Sequence, residues 1–368
     1  MGVRVPGVAG VAVMKRLIQM IPSHHRHDAA GAEVLTIERL LRDAGWRVET
    51  YAGNMDAELE GLTLPADALD TADTNDAVAL YHYCAASLMT FRFVELDCPK
   101  VLLYHNITPH RFFEPYNEDV ATDCREGRKQ LSVMLDAVDV AIGHSEFSRR
   151  ELEQAGFDMT RTIPFLYDPA RLEIEPDPAM LERLRGDPVV LFTGRFAPNK
   201  APEDFLRTAA AYGALKGAPP ARFVLVGKRR TIKGYYESVE KLISELALPQ
   251  ERLLITDEVS QAELAAAYRS ASLFLSLSRH EGFCVPMLEC MQMGVPVAAL
   301  SRAAVPETLG DAGILFDTTE PGEVAGIVAE VLADESIRAE LIERGRRRLK
   351  RYDLEHWGFA FRVLLESL

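Results

Sequence analysis

The chain has 368 residues, too many for one ordinary core and suited to two domains of about 150–200 residues each. A net charge of −14, with 48% hydrophobic and 26% charged residues, fits a soluble globular protein and argues against a general nucleic-acid binder, whose surface would be basic. No stretch approaches the roughly 20 apolar residues of a membrane span. The five cysteines (Cys84, Cys98, Cys124, Cys284, Cys290) are odd in number and form no Cys-x-x-Cys pair, which reads as free thiols in a reducing cytoplasm.

Residues 1–13 read as an N-terminal extension ahead of Met14, with a weak signal-peptide reading beside it. "RLIQMIP" (16–22) is strand-like, and "AGAEVLTIERLLRDAG" (30–45) has apolar residues at helical spacing and a glycine stop. "WRVETYAG", "DAVALYHYC", "KVLLYHNI" and "VDVAIGHS" follow as buried strands, and "EFSRRELEQAG" as a helix. This alternation predicts a parallel sheet covered on both faces. Residues 164–188 hold five prolines and many charges, marking a linker and a short helix. A second alternating set then runs through "VVLFTGRF", "RFVLVGKR", "RLLITDEV", "ASLFLSLS", "VPVAAL" and "AGILFD". The expected division is 1–168, 169–350 and an amphipathic terminal helix in 351–368, which packs on its own half or crosses back to the first. Two α/β halves facing across a cleft is the expected architecture, with ligands outside the carboxyl ends of the strands.

No Gly-x-Gly occurs, which counts against a nicotinamide or flavin enzyme. Gly-Lys-Ser/Thr and Asp-x-Asp are missing too, so a phosphate-cradling NTPase loop is excluded and a carboxylate-held metal is weakened. Anion recognition then falls to cations and helix N-termini. "FTGRFAPNKAPEDFL" (192–206) puts Arg195 at a strand end and Lys200 before a helix; a surface loop with two solvated charges is the competing reading. "EGFCVPMLECMQMGVPV" (281–297) predicts a tight turn and then a helix, with Pro286 in its first turn and Gly294 as its stop. The free amides of residues 282–285 would face an anion. Glu289 would either steady the first helical turn, worth about 0.3–1 kcal/mol, or accept hydrogen bonds from the vicinal hydroxyls of a ribose. Glu281 would do the same for a sugar.

Arg195, Lys200, the Glu-x7-Glu of "EGFCVPMLE" and the following "GVPV" resemble the retaining GT-B glycosyltransferases of family 4, the glycosyl transferases group 1. "AGAEVLTIERLLRDAGWRVETYAG", "VDVAIGHSEFSRRELEQAGF" and "VPETLGDAGILFD" extend the resemblance over most of the chain. It implies a GT-B fold of two Rossmann-like domains, the first for the acceptor and the second for a nucleotide sugar. It further implies that Arg195 and Lys200 hold the donor diphosphate and that Glu289 binds the ribose. Glu281 with the backbone of Gly282, Phe283, Cys284 and Val285 would hold the transferred sugar, Val259 would pack the base, and His105 would lie near the donor sugar. Gly31 and His27 belong to the loop that meets acceptor or phosphate. No metal and no cofactor are implied. The family's commonest donors are GDP-mannose and UDP-hexoses, and the acceptor would contain a sugar. Ala30 and Ala201 stand where the family often has glycine; the first is expected to alter the approach to Gly31, the second to be without consequence. His24, His25 and His27 are expected to touch acceptor or solvent and not a metal.

Two other classes fit the same residues: a GT-B-type sugar-nucleotide epimerase, and a non-catalytic transferase-like subunit. "RGRRRLKR" (344–351) reads as a solvated helix end, or as peripheral contact with an anionic membrane at its inner, cytoplasmic face.

Overall fold

The computed structural model describes residues 15–26 and 28–368, so the expectations for residues 1–13 and for His27 lie outside the described residues. The first unit is a seven-stranded parallel sheet of β1 (Arg16–His24), β2 (Arg47–Met55), β3 (Thr63–Pro65), β4 (Ala77–Tyr83), β5 (Lys100–Tyr104), β6 (Val140–Gly143) and β7 (Thr160–Thr162), in the order β3-β2-β1-β4-β5-β6-β7. The second is a six-stranded parallel sheet of β8 (Val189–Thr193), β9 (Arg222–Val226), β10 (Leu253–Ile255), β11 (Ala271–Ser276), β12 (Val297–Leu300) and β13 (Ile314–Phe316), in the order β10-β9-β8-β11-β12-β13.

Every residue of β4, β5, β6 and β8 is buried, the pattern of strands covered on both faces. The helices supply that cover. They are α1 (Ala29–Asp43), α2 (Met89–Glu95), α3 (Glu118–Gln130), α4 (Glu146–Ala155), α5 (Pro178–Arg183), α6 (Pro202–Ala214) and α7 (Lys233–Leu246), then α8 (Gln261–Ser270), α9 (Val285–Met293), α10 (Val305–Leu309), α11 (Pro321–Ala333), α12 (Glu335–Leu349) and α13 (Leu354–Glu366).

Local chemistry sets the helix ends that matter here. Asp28 caps α1 by accepting from the Gly31 amide at 2.7 Å. Ser145 caps α4 by accepting from the Ser148 amide at 3.1 Å, and Gly156 closes that helix at φ +108°. Each sheet is sandwiched between two apolar clusters. Two segments carry the chain between the units, 163–172 and 350–353. After the second, α13 lays Phe361 and Leu365 on a first-unit cluster that contains Leu17, Ile37, Leu41 and Trp46. Both sheets therefore carry the doubly wound strand order of a Rossmann-like domain, and together they make a GT-B architecture.

Candidate functional site

The strand order of the second sheet reverses between β8 and β11, where open α/β sheets hold ligands. Chain leaving β8 carries Gly194 and Arg195; chain leaving β11 carries Glu281 and then enters α9. Lys200 and Glu281 meet there, Nζ to Oε1 at 2.6 Å. Burial opposes the Lys200 charge, but the Glu281 carboxylate outweighs it and leaves the ammonium pKa raised. Arg195 is exposed and joins no ion pair among the described residues. Asn199 ties the two loops together: its carbonyl accepts from the Arg279 amide at 2.7 Å, and its side chain donates to the His280 carbonyl. β9 closes in tightly, since a Cβ on Gly227 would lie 2.1 Å from the Gly194 carbonyl oxygen. Ala201 adopts φ +50°. The missing glycine is thus not without consequence, because a left-handed alanine costs about 1–2 kcal/mol.

The turn into α9 is left-handed at Cys284, φ +77°, with Pro286 in the first helical turn and Gly294 past its end at φ +68°. The amides of Gly282, Phe283 and Cys284 have no acceptor among the described residues. Phe283 turns its ring into an apolar cluster with Phe165 and Tyr352, so only its backbone is left to the site. Glu289 is buried within α9, and its Oε2 accepts from the Tyr268 hydroxyl at 2.5 Å, which is itself 2.9 Å from Thr193 Oγ1. Burial raises the Glu289 pKa, and the Tyr268 hydroxyl pulls the other way. Val259 follows β10 and packs half-buried on the second unit's core.

The first unit supplies the opposite wall. A Cβ on Gly31 would lie 1.9 Å from the His25 carbonyl oxygen, so this loop turns only with glycine there. His24 is neither at an acceptor surface nor in solvent. It is fully buried, with Nδ1 2.9 Å from Thr63 Oγ1, because β1 runs on to residue 24 instead of ending at 22. His25 pairs with Asp56 at 2.8 Å. His105 follows β5 with a side chain only 8% exposed, and its Nε2 lies 2.9 Å from His82 Nδ1. The ring that the family resemblance puts near a donor sugar has its Nε2 turned toward His82 and Glu33 of the first unit. Glu33 of α1 sits beneath, with Oε2 3.0 Å from His144 Nε2 and 3.6 Å from His105 Nε2. Burial disfavours the Glu33 charge, yet His144, His105 and the Leu166 amide together hold its pKa below the ordinary value. Burial pushes His82 and His105 well below theirs, so both rings are neutral.

The walls touch. The Gly282 carbonyl accepts from Ser145 Oγ at 2.7 Å and Ser148 Oγ at 3.2 Å, and His280 Nε2 lies 2.7 Å from Asn106 Oδ1. Glu307 accepts from the first amides of α4, Glu146 at 2.7 Å and Phe147 at 3.2 Å. Ser145, Ser148, Asn106, Tyr268 and Glu307 escaped sequence reasoning, since each matters through a partner at least 20 residues away. One signal was available for the buried cluster: "YHYC", "LLYHN" and "AIGHS" each place a histidine at or just past the end of a strand-like run. Most of the basic segment is engaged locally. Arg344 pairs with Glu340, Arg346 and Arg347 approach Glu343, and Arg348 donates to the carbonyls of Glu307 and Thr308. No described helix is long and apolar enough to cross a membrane.

Residues 174–348 match the family model of the glycosyl transferases group 1. O-antigen chain mannosyltransferase B of Escherichia coli is 26% identical over 235 residues, covering 62% of this chain and 60% of that one. A D-inositol 3-phosphate glycosyltransferase of Salinispora arenicola is 30% identical over 212 residues, covering 54% and 45%. The matched stretches thus span about half the length of these relatives. Among solved structures, Anabaena HepE in complex with UDP-glucose superposes with a TM-score of 0.76 at 19% identity, over 96% of this chain and 100% of that one. Sucrose-phosphate synthase from Thermosynechococcus elongatus gives 0.75 at 19%, over 96% and 99%. At that identity the likeness shows the fold.

Proposed function

Through its second domain the chain belongs to the glycosyl transferases group 1, and from that premise we propose that it moves a hexose from a nucleoside-diphosphate sugar to a sugar-containing acceptor, with retention and without a metal at the diphosphate. The observation that carries this is the Lys200–Glu281 pair at the switch point of the second sheet, beside the exposed Arg195 and the start of α9.

Breaking the bond from sugar to diphosphate leaves negative charge on the phosphate oxygens and an oxocarbenium-like ring. Arg195, Lys200 and the unpaired amides of Gly282, Phe283 and Cys284 are fixed donors for that charge and need little reorganisation. Glu289 accepts from the ribose hydroxyls, and Val259 flanks the base. Glu281 holds the transferred sugar and keeps Lys200 charged, acting as a binding group and not as a nucleophile. The acceptor enters from the first domain past Gly31 and attacks the face the diphosphate leaves, which passes the hydroxyl proton to the departing phosphate. HepE in complex with UDP-glucose and the mannosyltransferase relative support a UDP-hexose or GDP-mannose donor. Lys350 and Arg351 are the cations of the 344–351 segment left for an anionic membrane face on the cytoplasmic side.

Incubation with UDP- and GDP-hexoses, followed by release of the nucleoside diphosphate, tests the proposal. Lys200→Ala and Glu289→Ala should each lower that release by at least about a hundredfold, in the range lost with one transition-state donor, while circular dichroism stays unchanged. Full release in both variants overturns it. Conversion of the donor sugar with no diphosphate released would instead select the epimerase.

A further inference from the structure

Beneath the cleft floor lies a side-chain cluster that the transfer chemistry does not use. Glu33, His82 and His105 each offer one ligand atom, and these atoms all lie within 4.8 Å of one another. They come from α1 and from the carboxyl ends of the adjacent strands β4 and β5, and His144, just past β6, brings Nε2 to 3.0 Å from Glu33 Oε2. Glu33 Oε2 and His144 Nε2 are buried and face each other at 3.0 Å, off line for a good hydrogen bond and with no other hydrogen-bond partner among the described residues. Buried polar atoms left in that state are uncommon and ask for a reason.

The outer atoms of these side chains are tied down. Glu33 Oε1 accepts from the Leu166 amide at 2.7 Å. His144 Nδ1 lies 3.2 Å from the Ile163 carbonyl oxygen, to which it donates, and its Nε2 is turned toward Glu33. His82 Nε2 lies 3.0 Å from Gln19 Oε1, and the Gln19 amide is oriented by donating to Val34 O and Thr50 Oγ1. His82 therefore donates from Nε2 and turns a bare Nδ1 inward. Outer atoms held by carbonyls and amides, with inner atoms turned toward one another, is the arrangement that surrounds protein-bound metals.

We propose that Glu33, His82 and His105 form a site for a divalent late transition metal, zinc by preference, with His144 moving in from beside Glu33 as the fourth ligand on loading. Three imidazoles and one carboxylate make a donor set that suits zinc. Zinc ligands about 2.0–2.1 Å from the ion at tetrahedral angles stand about 3.3 Å apart. The separations of 2.9 Å from His82 to His105 and 3.6 Å from His105 to Glu33 bracket that value, and His144 Nε2 lies 3.0 Å from Glu33 on the far side. Loading moves the His105 proton from Nε2 to Nδ1 and exchanges the His105–His82 hydrogen bond for two bonds to the ion. Four protein ligands leave no open position, so the ion is structural. It staples α1 to three strand ends and fixes the start of the loop that carries Asn106 to the second domain. The proposed transfer does not pass through it, and failure of either proposal leaves the other standing.

The test uses the full chain stripped with chelator, then titrated with Zn(II) and with Co(II). The expected result is about one equivalent of tightly held metal, the visible absorption of tetrahedral Co(II), and a raised unfolding temperature. Glu33→Gln and His82→Asn should abolish the Co(II) spectrum. Gln19→Leu, which leaves every ligand in place, should weaken binding about 10–100-fold, whereas His25→Ala should not. A stripped wild-type chain that takes up neither ion overturns the proposal, whether or not the variants fold. So does binding that survives Glu33→Gln and His82→Asn.

Discussion

Glu289 shows how one buried hydroxyl can set the ionisation of a buried carboxylate, here the one proposed to hold the ribose. Burial raises its pKa, and the Tyr268 hydroxyl opposes that rise. Accepting from two ribose hydroxyls calls for the ionised form, so donor affinity should increase as pH climbs through the raised pKa. Folding runs the other way: a carboxyl that binds its proton more tightly when folded loses stability over that same rise. Tyr268→Phe removes the opposing hydroxyl. The acid limb of kcat/KM for the donor should then move to higher pH, with KM rising more than kcat falls, as pH–rate profiles of both proteins would show. An unmoved limb would mean that Glu289 does not carry the ribose. Glu281 and Glu289 were legible in sequence because carboxylates rarely stand among core residues unless paired. Tyr268 was not, being an ordinary helix residue whose meaning comes from a partner 21 positions on.

At the level of elements, the turn between β11 and α9 is one place where the two domains press together. A Cβ on Gly282 would come within 2.4 Å of Asn106 Cβ and 3.1 Å of the His105 carbonyl oxygen. Gly282→Ala should therefore force the walls apart and lower donor turnover while each domain keeps its helix content. Small-angle scattering would read this as a larger radius of gyration, and an unchanged radius would refute it. The strands themselves were readable because covered parallel strands are unbroken apolar runs. β3 and β7, at the two edges of the first sheet, were not, since "TLP" and "TRT" offer no apolar run, unlike the equally short edge strands β10 and β13. The left-handed Cys284 was hidden as well, because side-chain identity gave no reason to expect it, and at Ala201 the one hint was the glycine that the resembled family often has there.

Across the whole molecule, a neutral imidazole helps join the domains. Burial, with Arg128 and Arg111 adding to it against Glu151 and Glu281, lowers the His280 pKa from 6.5 to about 4. The folded protein therefore holds this proton less well than the unfolded chain. Its contribution is complete above pH 6.5 and is lost as pH falls toward 4. The unfolding temperature should fall between pH 7 and pH 5. His280→Gln, which can still donate to Asn106 but does not titrate, should flatten part of that slope; an identical slope would exclude His280 as a source.

The path of α13 has one more consequence. The apolar face of Leu17, Ile37, Leu41 and Trp46 is roofed by Phe361 and Leu365, from more than 300 positions further along the chain. On a ribosome, the domain made first is thus the one finished last: its roof arrives only after the whole second domain has been threaded out. A cut near residue 168, natural as it looks in sequence, would leave that face open to water.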